Sequence, residues 1–260
     1  MTEVRVFDDP ASLGVALARE IVEGMEEARA QGRRFVLGCP GGRSARSTYR
    51  ALVELVRGAD LGHLVIAMMD DYVVRGPRGD WQPVLADAHY SCRRFAVEEI
   101  AGPLDAVARE GVRPEHVWLP DPADPPAYGE RLRAAGGVDH FIVACGATDG
   151  HVALVKPGTG LDSDVSIIAL AESTRRDNMA TFPEFTSLDE VPTHGVSVGL
   201  GTILSTSRRV TLVIHGVGKR LAARRVLEAT DFDPQWPATF VHRCQGARIW
   251  LDRAARPGSA

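Results

Sequence analysis

Apolar residues recur at every fourth position near the start of the chain. The series is Leu13, Leu17, Ile21 and Met25. This spacing places the four side chains on one face of a helix, so the segment predicts an amphipathic helix. Because proline is favoured in the first turn of a helix and glycine just after its end, the helix is predicted to begin at Pro10 and to end before Gly32.

Short apolar runs rich in Val, Ile and Leu follow at intervals along the chain, and they predict buried strands. The predicted strands are residues 4–7, 35–39, 64–68, 116–119, 141–145, 165–170, 210–214 and 247–251. Helical patterns lie between them, from about residue 44 and at residues 90–100, 127–135 and 219–229, and a further apolar stretch covers residues 196–204. Residues 74–87 are rich in proline and glycine and predict a loop.

This alternation of strands and helices predicts an α/β fold. We expect three layers, with a mostly parallel open sheet covered by helices on both faces in a Rossmann-like arrangement. Because the sequence has no internal repeat, low-complexity segment or linker, residues 1–260 are expected to form a single domain.

Composition restricts the partners and the compartment. The chain has 260 residues, 45% hydrophobic and 25% charged, with a net charge of -4 and no basic stripe, so no nucleic-acid partner is expected. The four cysteines are far apart and form no C-x-x-C pair, which favours a reducing compartment without structural zinc. No apolar segment has secretory or membrane-spanning length, so we expect a cytoplasmic protein without a membrane partner. A homo-oligomer is compatible with the sequence.

A carboxylate and an imidazole lie together after the predicted strand at residues 141–145. The sequence there reads Asp149-Gly150-His151. The carboxyl ends of parallel strands are where an open α/β sheet binds its ligands. A carboxylate can orient the histidine ring, fix its tautomer and raise its basicity, so the pair indicates general acid/base chemistry.

Three separate segments are candidates for binding a phosphate. Pro40-Gly41-Gly42-Arg43-Ser44 links a strand to a helix, where backbone N–H groups and the helix dipole favour an anion. Arg175 offers a bidentate contact and Lys219 an ammonium at another strand-to-helix junction. The alternatives are a tight turn that requires glycine, an exposed charged helix start at Arg175 and a surface lysine at 219.

Two adjacent carboxylates, Asp70 and Asp71, follow the predicted strand at residues 64–68. One interpretation is that they cap the next turn. The other is that Asp70 faces the crevice as a base, because partial desolvation raises the pKa of an aspartate toward neutrality.

Taken together, these segments resemble the glucosamine-6-phosphate deaminases and the related 6-phosphogluconolactonases over nearly the whole chain. The matching stretches are residues 37–42, Met69-Asp70-Asp71-Tyr72, residues 146–151, Glu172-Ser173-Thr174-Arg175, residues 191–194 with 199–203, and Gly216-Val217-Gly218-Lys219. The Asp-Asp-Tyr segment, Glu172-Ser173-Thr174-Arg175 and residues 191–194 with 199–203 are similar to the deaminases, whereas the spacing from Gly41-Gly42 to Tyr49 is more similar to the lactonases. The longer C-terminal matches favour the deaminase branch.

The resemblance implies an aldose–ketose isomerisation coupled to loss of ammonia from an amino sugar phosphate, on a three-layer α/β fold with a small lid. Asp70 would move a proton between C1 and C2, and His151, oriented by Asp149, would open the pyranose ring. The phosphate would be held by Gly41, Gly42, Arg43, Ser44, Arg175 and Lys219. Neither a metal nor an organic cofactor is implied.

One position departs from the family pattern. Lys156 stands where the deaminases carry the glutamate that completes the ring-opening group. A lysine near His151 would favour the neutral ring, whereas one that points outward would have no such effect. This departure favours a different phosphorylated amino sugar, or one presented in open-chain form. A lactone hydrolase and a non-catalytic sugar-phosphate-binding protein are the alternatives.

Overall fold

The computed structural model describes residues 2–258. Its strands are β1 (Glu3–Phe7), β2 (Phe35–Cys39), β3 (Leu64–Met68), β4 (Asp70–Arg75), β5 (Trp81–Pro83), β6 (Val117–Trp118), β7 (His140–Ala144), β8 (Ser166–Ala169), β9 (His194–Ser197), β10 (Val210–Ile214) and β11 (Arg248–Asp252). Its helices are α1 (Pro10–Ala30), α2 (Arg46–Leu55), α3 (Cys92–Phe95), α4 (Gly102–Asp105), α5 (Pro125–Ala134), α6 (Glu172–Thr181), α7 (Leu200–Thr206) and α8 (Arg220–Glu228). A π-helical turn, Ala96–Ala101, joins α3 to α4.

Seven strands form one parallel sheet, in the order β1-β11-β10-β7-β2-β3-β6. Neighbouring residues of β2 enter different cores: Val36 packs with residues of α5, α7 and α8, and Leu37 packs with residues of α1 and α2. The alternation of a strand's side chains explains how one apolar run supports both helix layers. The predicted α/β architecture, with a parallel sheet between two helix layers, is therefore confirmed.

The strand order reverses between β2 and β7. From β2 the chain proceeds through β3 to β6 at one edge, and from β7 it proceeds through β10 to β11 on the other side. Such a switch point leaves a crevice at the carboxyl ends of the strands, because the connections leave in opposite directions. The four central strands β10, β7, β2 and β3 all end at this crevice.

A second sheet of four antiparallel strands has the order β5-β4-β9-β8. The prediction of a loop over residues 74–87 is wrong in part, because β4 continues to Arg75 and pairs with β5 in a hairpin. Proline is accommodated there at position 83, the last residue of an edge strand, where no ladder N–H is needed. β4 follows β3 after a single residue, so this sheet is held directly against the crevice.

No helix within residues 2–258 is both long enough and apolar enough to cross a membrane.

Candidate active site

A cavity of about 460 Å³ opens at the carboxyl ends of the central strands. Its walls bring together most of the predicted site residues from distant parts of the sequence. These are Gly41, Gly42, Arg43, Ser44, Asp70, His151 and Lys219. The cavity is therefore large enough for a small molecule and carries both cationic and proton-transferring groups.

Asp70 is the first residue of β4, and its side chain lines the cavity while remaining only 9% exposed. Asp71 has a different position. Its carboxylate accepts hydrogen bonds from the backbone N–H groups of Tyr72 at 2.8 Å and Cys92 at 2.9 Å. Because successive strand residues point to opposite faces, Asp71 fixes the start of α3 while Asp70 faces the crevice.

The surroundings of Asp70 favour its neutral form. Burial raises the pKa of Asp70 from 3.8 to about 6, and the nearby negative charge of Asp71 adds to the increase. A hydrogen bond from Cys92 and the charge of His151 act in the opposite direction. A carboxyl group with this pKa is mostly ionised at neutral pH and is a stronger base than an exposed aspartate, as proton abstraction requires.

Cys92 is a site residue that the sequence did not reveal. Its thiol donates a hydrogen bond to Asp70 Oδ1 at 3.3 Å, and it also lines the cavity. Burial raises the pKa of the thiol well above its ordinary value, so Cys92 acts as a neutral donor rather than as a thiolate. A cysteine without a paired motif gives no sequence signal for this position.

Asp149 and His151 form a hydrogen-bonded pair at one end of the cavity. His151 Nδ1 lies 2.8 Å from Asp149 Oδ1, and Ser173 donates to Asp149 Oδ2 at 2.5 Å. Burial works against ionisation of Asp149, but the hydrogen bonds from His151 and Ser173 outweigh it and hold the pKa well below its usual range. The carboxylate lies behind the ring, which leaves the cavity side of His151 available for proton transfer.

A tight turn makes the Asp149–His151 pair possible. The Gly146 N–H donates to the His151 carbonyl at 2.8 Å. A Cβ atom at position 146 would overlap both Asp149 Oδ1 and His151 Nδ1. Glycine is therefore required at position 146 so that the side chains of Asp149 and His151 can lie against the backbone. Gly146 belongs to the matching stretch 146–151, but only the geometry reveals its role.

The other end of the cavity is built around residues 40–44. Gly42 has a φ of 78°, a left-handed conformation that glycine adopts without steric cost. Tyr49 Oη donates to the Pro40 carbonyl at 2.9 Å, and His215 donates through Nε2 to the Ser44 carbonyl at 3.0 Å. These bonds fix the loop against α2 and the end of β10.

Lys219 lines the cavity from the turn before α8. Its Nζ donates to the carbonyl of Cys145 at 2.7 Å, which ties the ammonium to the end of β7. One N–H bond of three is used there, so two remain for an anion. Arg43 is exposed at the mouth of the cavity.

Arg175 and Lys156 do not line the cavity. The Arg175 guanidinium donates to the backbone carbonyls of Leu188 and of Val191, the latter at 3.0 Å, so it anchors the segment after α6. The expectation that Arg175 holds a phosphate does not fit this placement. The side chain of Lys156 is exposed outside the cavity, so the outward alternative is the one observed.

Across residues 2–258, no group of three His, Cys, Asp or Glu side chains is arranged as a metal site.

Comparison with known proteins places the chain in a family. The model of glucosamine-6-phosphate isomerases/6-phosphogluconolactonase matches residues 8–250. A curated glucosamine-6-phosphate deaminase from Mycolicibacterium smegmatis is 31% identical over 259 residues, covering 97% of this chain and 91% of the relative. Another, from an Exiguobacterium species, is 28% identical over 251 residues, covering 96% of this chain and 88% of the relative.

Solved structures share the fold. A monomeric glucosamine-6-phosphate deaminase superposes with a TM-score of 0.82 at 23% identity, over 98% of each chain. The 6-phosphogluconolactonase from Thermotoga maritima superposes with a TM-score of 0.67 at 20% identity, over 97% of this chain and 99% of the other. The chain therefore belongs to the glucosamine-6-phosphate isomerase/6-phosphogluconolactonase family.

Proposed function

We propose that this protein is an isomerase/deaminase that converts a phosphorylated amino sugar into a ketose phosphate with release of ammonia. The observation that carries the proposal is the single cavity in which Asp70 and His151 face the same space as the residue 40–44 loop and Lys219. The curated relatives named glucosamine-6-phosphate deaminase support the same reaction class.

The phosphate binds at the glycine loop. Backbone N–H groups of the loop, the Lys219 ammonium and the Arg43 guanidinium supply positive charge at one end of the cavity. Binding there places the sugar carbons toward Asp70 and His151, and holding the reacting carbon beside its base is worth several orders of magnitude in rate.

Proton transfer takes place at His151 and Asp70. His151 moves a proton from the anomeric hydroxyl to the ring oxygen, which opens the ring to the aldehyde. Asp70 then removes the proton on C2 while the C1 oxygen takes a proton from the C2 ammonium, giving an enolamine. Return of the proton from the Asp70 carboxyl to C1 yields an iminium ion at C2, which water hydrolyses to the ketone and ammonia, released as its ammonium ion. His151 therefore serves ring opening, and Asp70 serves the proton transfers at C2 and C1.

The position of Lys156 bears on the substrate. Because its ammonium lies outside the cavity, ring opening rests on Asp149 and His151 without a third charged side chain from position 156. We infer that the enzyme acts on a phosphorylated amino sugar whose ring opens readily, or on one supplied in open-chain form.

Ammonia release from a panel of hexosamine 6-phosphates tests the proposal, with hexose 6-phosphate isomerisation and 6-phosphogluconolactone hydrolysis measured in parallel. The expected result is ammonia and ketose phosphate in equal amounts from at least one amino sugar phosphate. Lactone hydrolysis that survives Asp70→Asn would instead assign the lactonase reaction. Sugar-phosphate binding by calorimetry without any product by NMR would assign a non-catalytic binding protein.

A further inference from the structure

Helix α6 presents a polar face to the cavity. The cavity-lining residues of this helix are Thr174, Asp177, Asn178 and Thr181. Their spacing of three, four and seven residues places them on one side of the helix. The opposite side carries the exposed ion pair of Glu172 and Arg176. A helix packed on a protein core has an apolar inner face, so a polar one indicates that α6 faces a ligand.

The two ends of this polar face are located by contacts. Thr174 Oγ1 lies 3.4 Å from His151 Nδ1, at the proton-transfer end. The Thr181 methyl lies 3.5 Å from where a Cβ on Gly42 would be, at the phosphate end. Seven residues of helix rise by about 10 Å. This span is comparable to an extended six-carbon sugar with its phosphate.

Asp177 lies between these ends. Helical side chains tilt toward the N-terminus of their helix, so the Asp177 carboxylate leans toward Thr174 and the proton-transfer end. An open-chain sugar held by its phosphate would place its upper carbons, C1 to C3, on that side. Asp177 therefore faces the part of the substrate that differs between an amino sugar and a simple sugar.

The carboxylate of Asp177 is unpaired in the part of the chain that the structure describes. Within residues 2–258 its carboxylate takes part in no hydrogen bond or ion pair, and Asp70 is the other acidic residue of the cavity lining. Beside it, the Asn178 side-chain nitrogen is buried and makes no hydrogen bond of ordinary geometry in the described part of the chain, with the Tyr72 hydroxyl as its nearby polar neighbour. In a cavity proposed to bind a phosphate, an unpaired carboxylate repels the negative charge of the ligand and attracts a positive charge on the same ligand.

We propose that Asp177 is a specificity residue that pairs with the C2 ammonium of the substrate, so that the cavity prefers cationic amino sugar phosphates to the matching hydroxy sugar phosphates. Asn178 donates to a neighbouring substrate hydroxyl. This inference rests on the proposed function and names the substrate class more narrowly, because an N-acylated amino sugar phosphate lacks the positive charge and is disfavoured.

Two unreactive open-chain analogues separate this role from general binding. They are 2-amino-2-deoxyglucitol 6-phosphate and glucitol 6-phosphate, which differ only in the ammonium and the hydroxyl at C2. Calorimetry at neutral pH gives a dissociation constant for each. We expect the protein to bind the amino analogue about tenfold more tightly, as a partly desolvated charge pair provides.

Asp177→Asn is expected to abolish this preference, so that the two analogues bind with about equal dissociation constants. Continued binding of glucitol 6-phosphate shows that the variant is folded. Asp177→Glu is expected to retain part of the preference. Glu172→Gln, on the outer face of the same helix, is the matched control and is expected to keep all of it. An undiminished preference in Asp177→Asn would overturn the inference and leave the proposed function intact. Failure of both analogues to bind the unaltered protein would overturn both.

Discussion

The two ends of the cavity are built in different ways. At the proton-transfer end, side chains hold one another, as Ser173, Asp149 and His151 do through bonds of 2.5 and 2.8 Å. At the end proposed to bind the phosphate, the candidate binding groups are the backbone of a glycine loop, the anchored Lys219 ammonium and the exposed Arg43 guanidinium. Proton transfer depends on placement to a fraction of an ångström, whereas an anion is attracted over a longer range. Substitutions at the first end should therefore lower kcat, and those at the second should raise KM.

The largest effect is expected at Asp70. Asp70→Asn removes the base and should lower kcat by about 10³-fold or more, since general base catalysis contributes up to about 10⁴-fold. In the unaltered enzyme kcat/KM should fall as the pH drops through about 6, where Asp70 becomes protonated. Steady-state assays across pH 5 to 9 measure both. Retention of more than a tenth of the rate by Asp70→Asn would remove Asp70 from the mechanism.

The same substitution should stabilise the fold. Because burial raises the pKa of Asp70 from 3.8 to about 6, its ionised form opposes folding at neutral pH. The penalty is absent well below pH 4, where both states are protonated, grows as the pH rises from about 4 to about 6, and is constant above that. Asp70→Asn should raise the free energy of unfolding at pH 8 by up to about 3 kcal/mol, with the gain disappearing toward pH 4. Urea unfolding at both pH values tests the sign.

Asp149 should behave in the opposite way. Asp149→Asn breaks the bond that orients His151 and should lower kcat by about 10²-fold. Its pKa is depressed, so the carboxylate stabilises the fold above pH 4 and this contribution is lost as the pH falls through the depressed pKa. The variant should therefore be less stable at neutral pH. Ser173→Ala, which removes one bond to the same carboxylate, is expected to lower kcat by about fivefold. Equal losses in the two variants would contradict the orienting role.

Lys219, which lines the cavity, and Arg175, which does not, provide a test of the proposed phosphate site and its control. Lys219→Ala should raise KM by about 30-fold with little change in kcat, because it removes a charged hydrogen-bond donor from the cavity. Arg175→Ala should leave KM within about twofold and lower the melting temperature, because it releases the carbonyls of Leu188 and Val191. A large rise in KM for Arg175→Ala would show that its guanidinium reaches the phosphate after all.

The smallest effect is expected at Cys92. Cys92→Ala removes the thiol hydrogen bond that lowers the pKa of Asp70. The acidic midpoint of kcat/KM should move upward by a few tenths of a pH unit, a shift typical of one weak hydrogen bond. Cys92→Ser should restore it, and Cys244→Ala, which has no contact with Asp70, should leave it unchanged. A midpoint that does not move in Cys92→Ala would show that the thiol does not act on the base.

The sequence is sufficient to predict the parallel sheet because its strands are continuous apolar runs. Such runs are typical of strands in a sheet that is buried on both faces. The hairpin of β4 and β5 was missed because Gly76, Pro77 and Gly79 have the composition of a loop. These residues form the turn, while the strand continues beyond the two aspartates.

Motifs identified the site better than they identified the direction of each side chain. Asp70, His151 and Lys219 reach one cavity, as predicted, and their catalytic and binding roles stay predictions. Arg175 lies in a matching motif, yet its guanidinium donates to backbone carbonyls. The sequence could not predict this contact, because a position on a helix does not reveal which neighbour will accept from the five N–H donors of an arginine. Cys92 and Asp177 carry no pattern of their own, and only the fold brings them to the cavity.

The most direct measurement is a crystal structure with 2-amino-2-deoxyglucitol 6-phosphate bound. We predict that its phosphate lies on the residue 40–44 loop beside Lys219, with C1 and C2 in contact with Asp70. A ligand whose phosphate binds elsewhere, or whose C1 and C2 lie away from Asp70, would contradict the account.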